Sequence, residues 1–160
     1  MNWEEIAPKL AEPFPVNKIH WRVGARTRDK SRGIALAYVD ARDVMKRFDD
    51  VCGGLWQDDY PLADSGLLIC RIGLKIEGEW RWRSNGAGDT DVEAEKGKAS
   101  DAFKRAGVLW GVARYLYALP NEWIALTNDG RELAQVPKLP KWATPEGYRE
   151  VMEQRKAANQ

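Results

Sequence analysis

Leu67-Leu-Ile-Cys-Arg-Ile-Gly-Leu-Lys-Ile76, Glu77-Gly-Glu79 and Trp80-Arg-Trp-Arg83 form the run that decides the fold class. The first segment is strongly apolar, with only Arg71 and Lys75 carrying charge, and predicts a strand. Glu77-Gly78-Glu79 predicts the turn. Trp80 to Arg83 alternate with the strand period, tryptophans to one face and arginines to the other. Asn85 to Asp89 reads as a loop. Thr90 and Glu93 then form a capping box, so a long helix is expected from near Asp91 to about Leu119, where Pro120 stops it. Ala99, Ala102, Phe103, Ala106, Trp110, Ala113 and Tyr117 mark its expected buried stripe.

Upstream, residues 3–11 predict a short helix closed by Pro13 and Pro15. Residues 20–27 and 34–40 predict two strands joined by the polar link Arg28 to Gly33. Asp40 is a good N-cap and Asp43 stands at N3, so a helix follows. Val44, Met45, Phe48, Val51 and Cys52 repeat at helical spacing until Gly53-Gly54. Trp56 to Leu62 predicts a strand and Asp64-Ser65-Gly66 a turn. Downstream, a hairpin is expected at Asn128-Asp129-Gly130, a linker at 137–140 and a charged helix at 145–158. Strands, helix, strands, long helix give an α+β fold with a mainly antiparallel sheet packed on a long helix. The expected division is a domain over 1–136 and a linker with a C-terminal helix or tail over 137–160.

The chain has 160 residues, enough for one domain with a real core. Hydrophobic residues at 44% and 8 Trp make it globular rather than disordered. Lys and Arg total 25 against 24 Asp and Glu, so any charged partner must be met by a local patch. Cys52 and Cys70 supply neither a disulfide framework nor a four-ligand zinc site, and His20 is the single histidine. The first ten residues do not read as a signal peptide, and no window suits a membrane span. The expected location is the cytoplasm.

Enzyme motifs are missing where they matter. Gly97-Lys98 lacks the first P-loop glycine, because Val92 stands there, and Ala99 replaces the hydroxyl. Gly86-Ala-Gly88 lacks the third glycine of a dinucleotide fingerprint. Asp89, Asp91, Glu93, Glu95 and Lys96 raise the question of a magnesium nuclease, but acidic residues at a helix N-terminus complement its dipole without catalysis. No cofactor and no metal are expected.

The basic residues say more. Lys18, Arg22, Arg26, Arg28, Lys30 and Arg32 crowd one hairpin, with Trp21 and His20 interleaved and only Asp29 opposing them. Asp49, Asp50, Asp58, Asp59 and Asp64 fill a stretch without a cation. Cations track phosphates and rings stack on bases, so such a hairpin suits single-stranded nucleic acid; a hairpin merely made soluble by charge fits equally. On the long helix, Lys104 shares a face with Gly97, Ser100, Gly107 and Gly111, which would let another backbone approach; helix packing is the bland alternative. Asp101 stands one turn before Arg105, suited to an ion pair.

Two segments resemble the Rad52/22 family core. One is Ala37-Tyr-Val-Asp-Ala-Arg-Asp-Val-Met45 with Cys52-Gly-Gly-Leu-Trp56. The other is Glu93 to Gly111 followed by Arg114-Tyr-Leu-Tyr117, of which Ser100 to Gly111 is the most specific part. The resemblance covers about residues 18–120 and implies single-strand annealing in double-strand-break repair. It implies a β-β-β-α core that assembles into homo-oligomeric rings or spirals, with a basic groove that holds single-stranded DNA by its backbone, leaving bases free to meet a complementary strand, with no nucleotide hydrolysed. Arg42 and the Lys104-Arg105 pair match basic positions lining the family's inner DNA site. Val108 stands where eukaryotic members have a further Arg.

The chain ends at Gln160, without the long partner-binding region of eukaryotic members, so a phage or bacterial origin is expected. Expected protein partners are a single-strand binding protein or a phage exonuclease. The resulting expectation is an ATP-independent strand-annealing protein that is not an enzyme. Arg42, Lys104 and Arg105 would grip phosphates, and Arg22, Arg26, Arg28, Lys30, Arg32, Arg81 and Arg83 would widen the groove. A DNA-end-protecting protein of the same fold and a magnesium nuclease using the 89–95 carboxylates are the rivals.

Overall fold

The computed structural model describes residues 1–61, 67–87 and 95–158. Its elements run α1 (Trp3–Ala11), β1 (His20–Arg26), β2 (Arg32–Tyr38), α2 (Ala41–Cys52), β3 (Trp56–Asp59), β4 (Leu68–Ile76), β5 (Glu79–Ala87), α3 (Glu95–Leu109), β6 (Trp123–Ala125) and α4 (Pro145–Ala158). The class is α+β with antiparallel strands, as expected, but the strands form two three-stranded sheets, β1-β2-β6 and β3-β4-β5. Each belongs to its own compact unit: Met1–Glu12 with Ala41–Arg114, and Pro13–Asp40 with Tyr115–Gln160. The 64–66 turn, the end of the third predicted strand at Leu62, the 90/93 capping box and the carboxylates of Asp89, Asp91 and Glu93 lie outside the described residues. Among the described residues no helix is long and apolar enough to cross a membrane.

In the first unit the β-β-β-α order is met by β3, β4, β5 and α3. Alternation along β4 sends Cys70, Ile72, Leu74 and Ile76 inward, each no more than 2% exposed. Phe48 of α2 and Phe103 of α3 are fully buried beneath this sheet face, and Trp56 of β3 stacks on Phe48 at 5.2 Å between centroids. Each such side chain contributes roughly 1.5–3 kcal/mol on burial. Cys52 and Cys70 are buried free thiols, and burial pushes both up to about 11. Asn2 caps α1 by accepting from the Glu4 amide at 2.9 Å, and Arg47 of α2 donates to the terminal carbonyls of Lys9 and Leu10.

The helix expected to reach Leu119 ends at Leu109. Gly111 adopts φ +100 and Ala113 φ +58, both left-handed, and no α-helix continues through them. The freed carbonyls are taken by arginines: Arg114 donates to Val108 at 2.9 Å and to Leu109 at 2.7 Å. Beyond lies a short 3-10 turn, Arg114–Ala118, in which Tyr117 is 75% exposed rather than buried. Ala99 is also exposed, while Ala102, Phe103, Ala106, Trp110 and Ala113 are buried as expected. The 85–89 loop is corrected too, since β5 continues to Ala87.

In the second unit β2 is the central strand. Ala35, Val39, Ile124 and Leu126 are buried, and a bulge between Val23 and Arg26 shifts the register of β1 against β2. Both polar turns are present, one at Thr27–Ser31 and one at Thr127–Arg131. Thr144 opens α4 by accepting from the Gly147 amide at 3.2 Å.

Candidate nucleic-acid interface

The second unit sets out its basic residues by strand parity. Cross-strand partners share a face, so His20, Arg22, Leu36, Tyr38, Ile34, Trp123 and Arg32 lie on one side of β1-β2-β6, with Trp21 on the other. Arg22 is exposed there, beside a half-buried His20 whose ring lies 5.4 Å from that of Tyr38. His20 Nε2 is 3.4 Å from the Asp40 carboxylate. Arg32 donates to the Trp123 carbonyl at 2.6 Å, and Arg26, displaced by the bulge, donates to the Gly130 carbonyl at 3.2 Å. Those two arginines hold the third strand and its turn. Arg28 and Lys30 are exposed in the β1–β2 turn.

That turn is held by Asp29. Its carboxylate accepts from Thr27 Oγ1 at 2.6 Å, Ser31 Oγ at 2.8 Å and the Ser31 amide at 3.1 Å. These bonds, the one from Thr27 first, hold the Asp29 carboxyl down at about 2. The lone acidic residue of the basic hairpin thus shapes the tip that presents Arg28 and Lys30.

In the first unit Arg42 lies exposed in the first turn of α2 and Lys104 is half-buried on α3. Arg105 makes the expected pair with Asp101, at 2.9 Å. Two of the small residues near Lys104 have another use than the one the sequence suggested. A Cβ on Gly107 would lie 3.1 Å from Val44 and 3.7 Å from Phe48, so this glycine admits α2. Gly111 lies beyond the helix and faces Ala11.

On β5 the arginines face the helices and the tryptophans face away. Arg81 and Arg83 pair across from buried Leu74 and Ile72, and Trp80 and Trp82 from Lys75 and Gly73. Arg81 lies 3.5 Å from Glu77. The Arg83 guanidinium sits 4.3 Å from the Trp110 ring and 5.6 Å from Trp3, and donates to the Leu109 carbonyl. Burial, and then the nearby Arg114 charge, draw its pKa down. Sequence reasoning missed both these bonds of the exposed Arg83 and the exposure of the two tryptophans. The clean alternation of Trp80 to Arg83 carried the signal for two faces, without saying which would be covered.

Compared with known families, the chain matches the Rad52/22 family double-strand break repair protein over residues 2–64 and 67–134. It is 37% identical over 150 residues to the single-stranded DNA-binding protein DdrA of Deinococcus deserti, covering 93% of this chain and 75% of that one. To the single-stranded DNA-binding protein DdrA of Deinococcus radiodurans it is 33% identical over 150 residues, covering 93% and 72%. No solved structure matches. With the match running through both units, the chain belongs to the Rad52/22 family of double-strand break repair proteins.

Proposed function

We propose that this protein binds single-stranded DNA and anneals complementary strands in double-strand-break repair, without ATP and without catalysis. The observation that carries the reading is the similarity, over 93% of the chain, to two proteins named for single-stranded DNA binding. The exposed cations of the hairpin and of α2 support it: Arg22, Arg28, Lys30 and Arg42 are open to solvent. With Lys104 they are the proposed phosphate contacts. Arg26, Arg32, Arg83 and Arg105, each bonded within the protein, shape the surface and add positive potential, and Arg81 stands beside Glu77 as a weaker contact.

The mechanism is physical. Cations neutralise the repulsion between two phosphate backbones, and base pairing then decides which strands stay together. Residues 1–136 are the proposed DNA-binding domain, with 137–160 appended. Assembly into a ring or spiral belongs to the reading, on the strength of the family resemblance, as does a place in the bacterial cytoplasm, both relatives being bacterial. The test is annealing of two complementary oligonucleotides, one carrying a quenched fluorophore, with and without ATP and Mg²⁺. Equal annealing in all conditions is expected. Strand cleavage on adding Mg²⁺, or binding of DNA ends without annealing, would overturn it.

A further inference from the structure

The outward face of the β3-β4-β5 sheet has no part in the phosphate contacts above. Cross-strand register puts Gln57, Asp59, Arg71, Gly73, Lys75, Trp80, Trp82 and Ser84 on it. Trp80 and Trp82 are 40% and 39% exposed, although tryptophan is costly to leave in water. Their rings stand side by side, centroids 6.2 Å apart and planes 32° apart. Trp82 lies flat. A Cβ on Gly73 would be 3.0 Å from three of its ring atoms alike, so one face of the indole covers the β4 backbone and the other looks outward. Any residue larger than glycine there would lift the ring.

The surroundings indicate the occupant. A second protein surface would bury these rings best against a continuous apolar patch, but they are ringed by polar and charged groups. Arg71 is held by a two-point ion pair to Asp59 and places its guanidinium 5.1 Å from the Trp82 centroid, and the indole is still 39% exposed. Lys75, opposite Trp80, adds a cation. Flat aromatic faces with cations beside them match unpaired bases joined by phosphates, whatever the sequence.

We propose that Trp80 and Trp82 form a stacking platform for the bases of single-stranded DNA, with Lys75 and Arg71 meeting the adjoining backbone. The inference rests on the single-stranded DNA reading and adds base contact to phosphate contact. Each ring takes the face of one unpaired base. Bases held in this way are released when a complementary strand offers pairing instead.

The experiment compares a labelled oligothymidylate with an abasic oligonucleotide of equal length and charge. The whole chain should bind the oligothymidylate more tightly. Combined Trp80→Ala and Trp82→Ala should weaken that binding by about five- to a hundred-fold per ring. Affinity for the abasic strand and the salt slope should stay as they were, and the corresponding tyrosine substitutions should keep most of the preference.

An oligonucleotide carrying 5-bromodeoxyuridine, photo-cross-linked to the unaltered protein, should attach at Trp80 or Trp82, a readout that needs no variant. Unchanged oligothymidylate binding by the alanine variant, or cross-links confined to other residues, would overturn the platform while leaving phosphate-based binding intact. So would a changed assembly size with the base preference unaltered, which would assign the face to a second copy of the chain. An unaltered protein that binds neither strand would instead refute the single-stranded DNA reading itself.

Discussion

Lys30 and Gly130 hold the same place in two copies of one turn. Both are left-handed, at φ +56 and φ +68. In both turns a threonine hydroxyl donates to an aspartate at 2.6 Å, Thr27 to Asp29 and Thr127 to Asp129. The copies touch, since a Cβ on Gly130 would lie 3.3 Å from both the Cβ and the carbonyl oxygen of Lys30.

A side chain at a left-handed position costs roughly 1–2 kcal/mol, and a glycine there has no such cost. Lys30→Gly should therefore leave thermal stability unchanged or raise it by up to ~1 kcal/mol. As a lost phosphate contact, it should also lower the magnitude of the log-affinity versus log-salt slope by about 0.7. Gly130→Ala should instead destabilise by about 1 kcal/mol or more, through strain and crowding against Lys30. Paired melting curves and salt titrations separate the two effects.

The Asp29 carboxyl falls from its ordinary 3.8 to about 2 on folding. A group depressed in this way stabilises the fold above its unfolded value, and that contribution is lost as the pH drops through the folded one. Stability should decline between pH 3.8 and about 2, and Asp29→Asn should flatten the decline. Melting temperatures across that acid window, variant against unaltered protein, are the check.

Lys104→Ala should weaken binding to every single-stranded sequence alike and lower the salt slope by about 0.7, because a phosphate contact carries no base preference. Arg105→Ala breaks an exposed pair with Asp101 and should cost only ~0.5 kcal/mol of stability. Fluorescence anisotropy at several salt concentrations reads the first effect and urea melting the second.

Arg83→Ala should unfold more readily than Arg22→Ala. It loses a cation beside two indoles and a bond to the end of α3, worth about 1–2 kcal/mol together. Arg83→Lys should recover little, since an ammonium lacks the planar face that lies against Trp110. Arg22→Ala should leave the urea midpoint in place and act on DNA affinity alone.

Local signals were legible in the sequence. The charged and apolar spacing of α2 with Gly53 behind it, the alternation of Trp80 to Arg83, and the 145–158 helix all appear where expected. The end of α3 was not, because the apolar period runs on through Ala113 and Tyr117 while left-handed Gly111 and Ala113 keep the helix from continuing past Leu109. The candidate site was legible as composition, in its crowded cations, and not as geometry. Which arginines are bonded within the protein depends on partners distant in the chain: Trp3 for Arg83, Trp123 for Arg32, Gly130 for Arg26. Spacing has no access to such contacts, nor to which side of β5 the helices cover.

Cys52 and Cys70 have one more consequence. Thiols shut inside the core and pushed up to about 11 present almost no thiolate at neutral pH, so they resist maleimides. The native chain is therefore its own silent background for site-directed dyes. A cysteine substituted for exposed Gln57, on the sheet face that carries the two indoles, would be the sole reactive handle. Energy transfer from it to a labelled strand would time the arrival and release of DNA with both native sulfurs left in place.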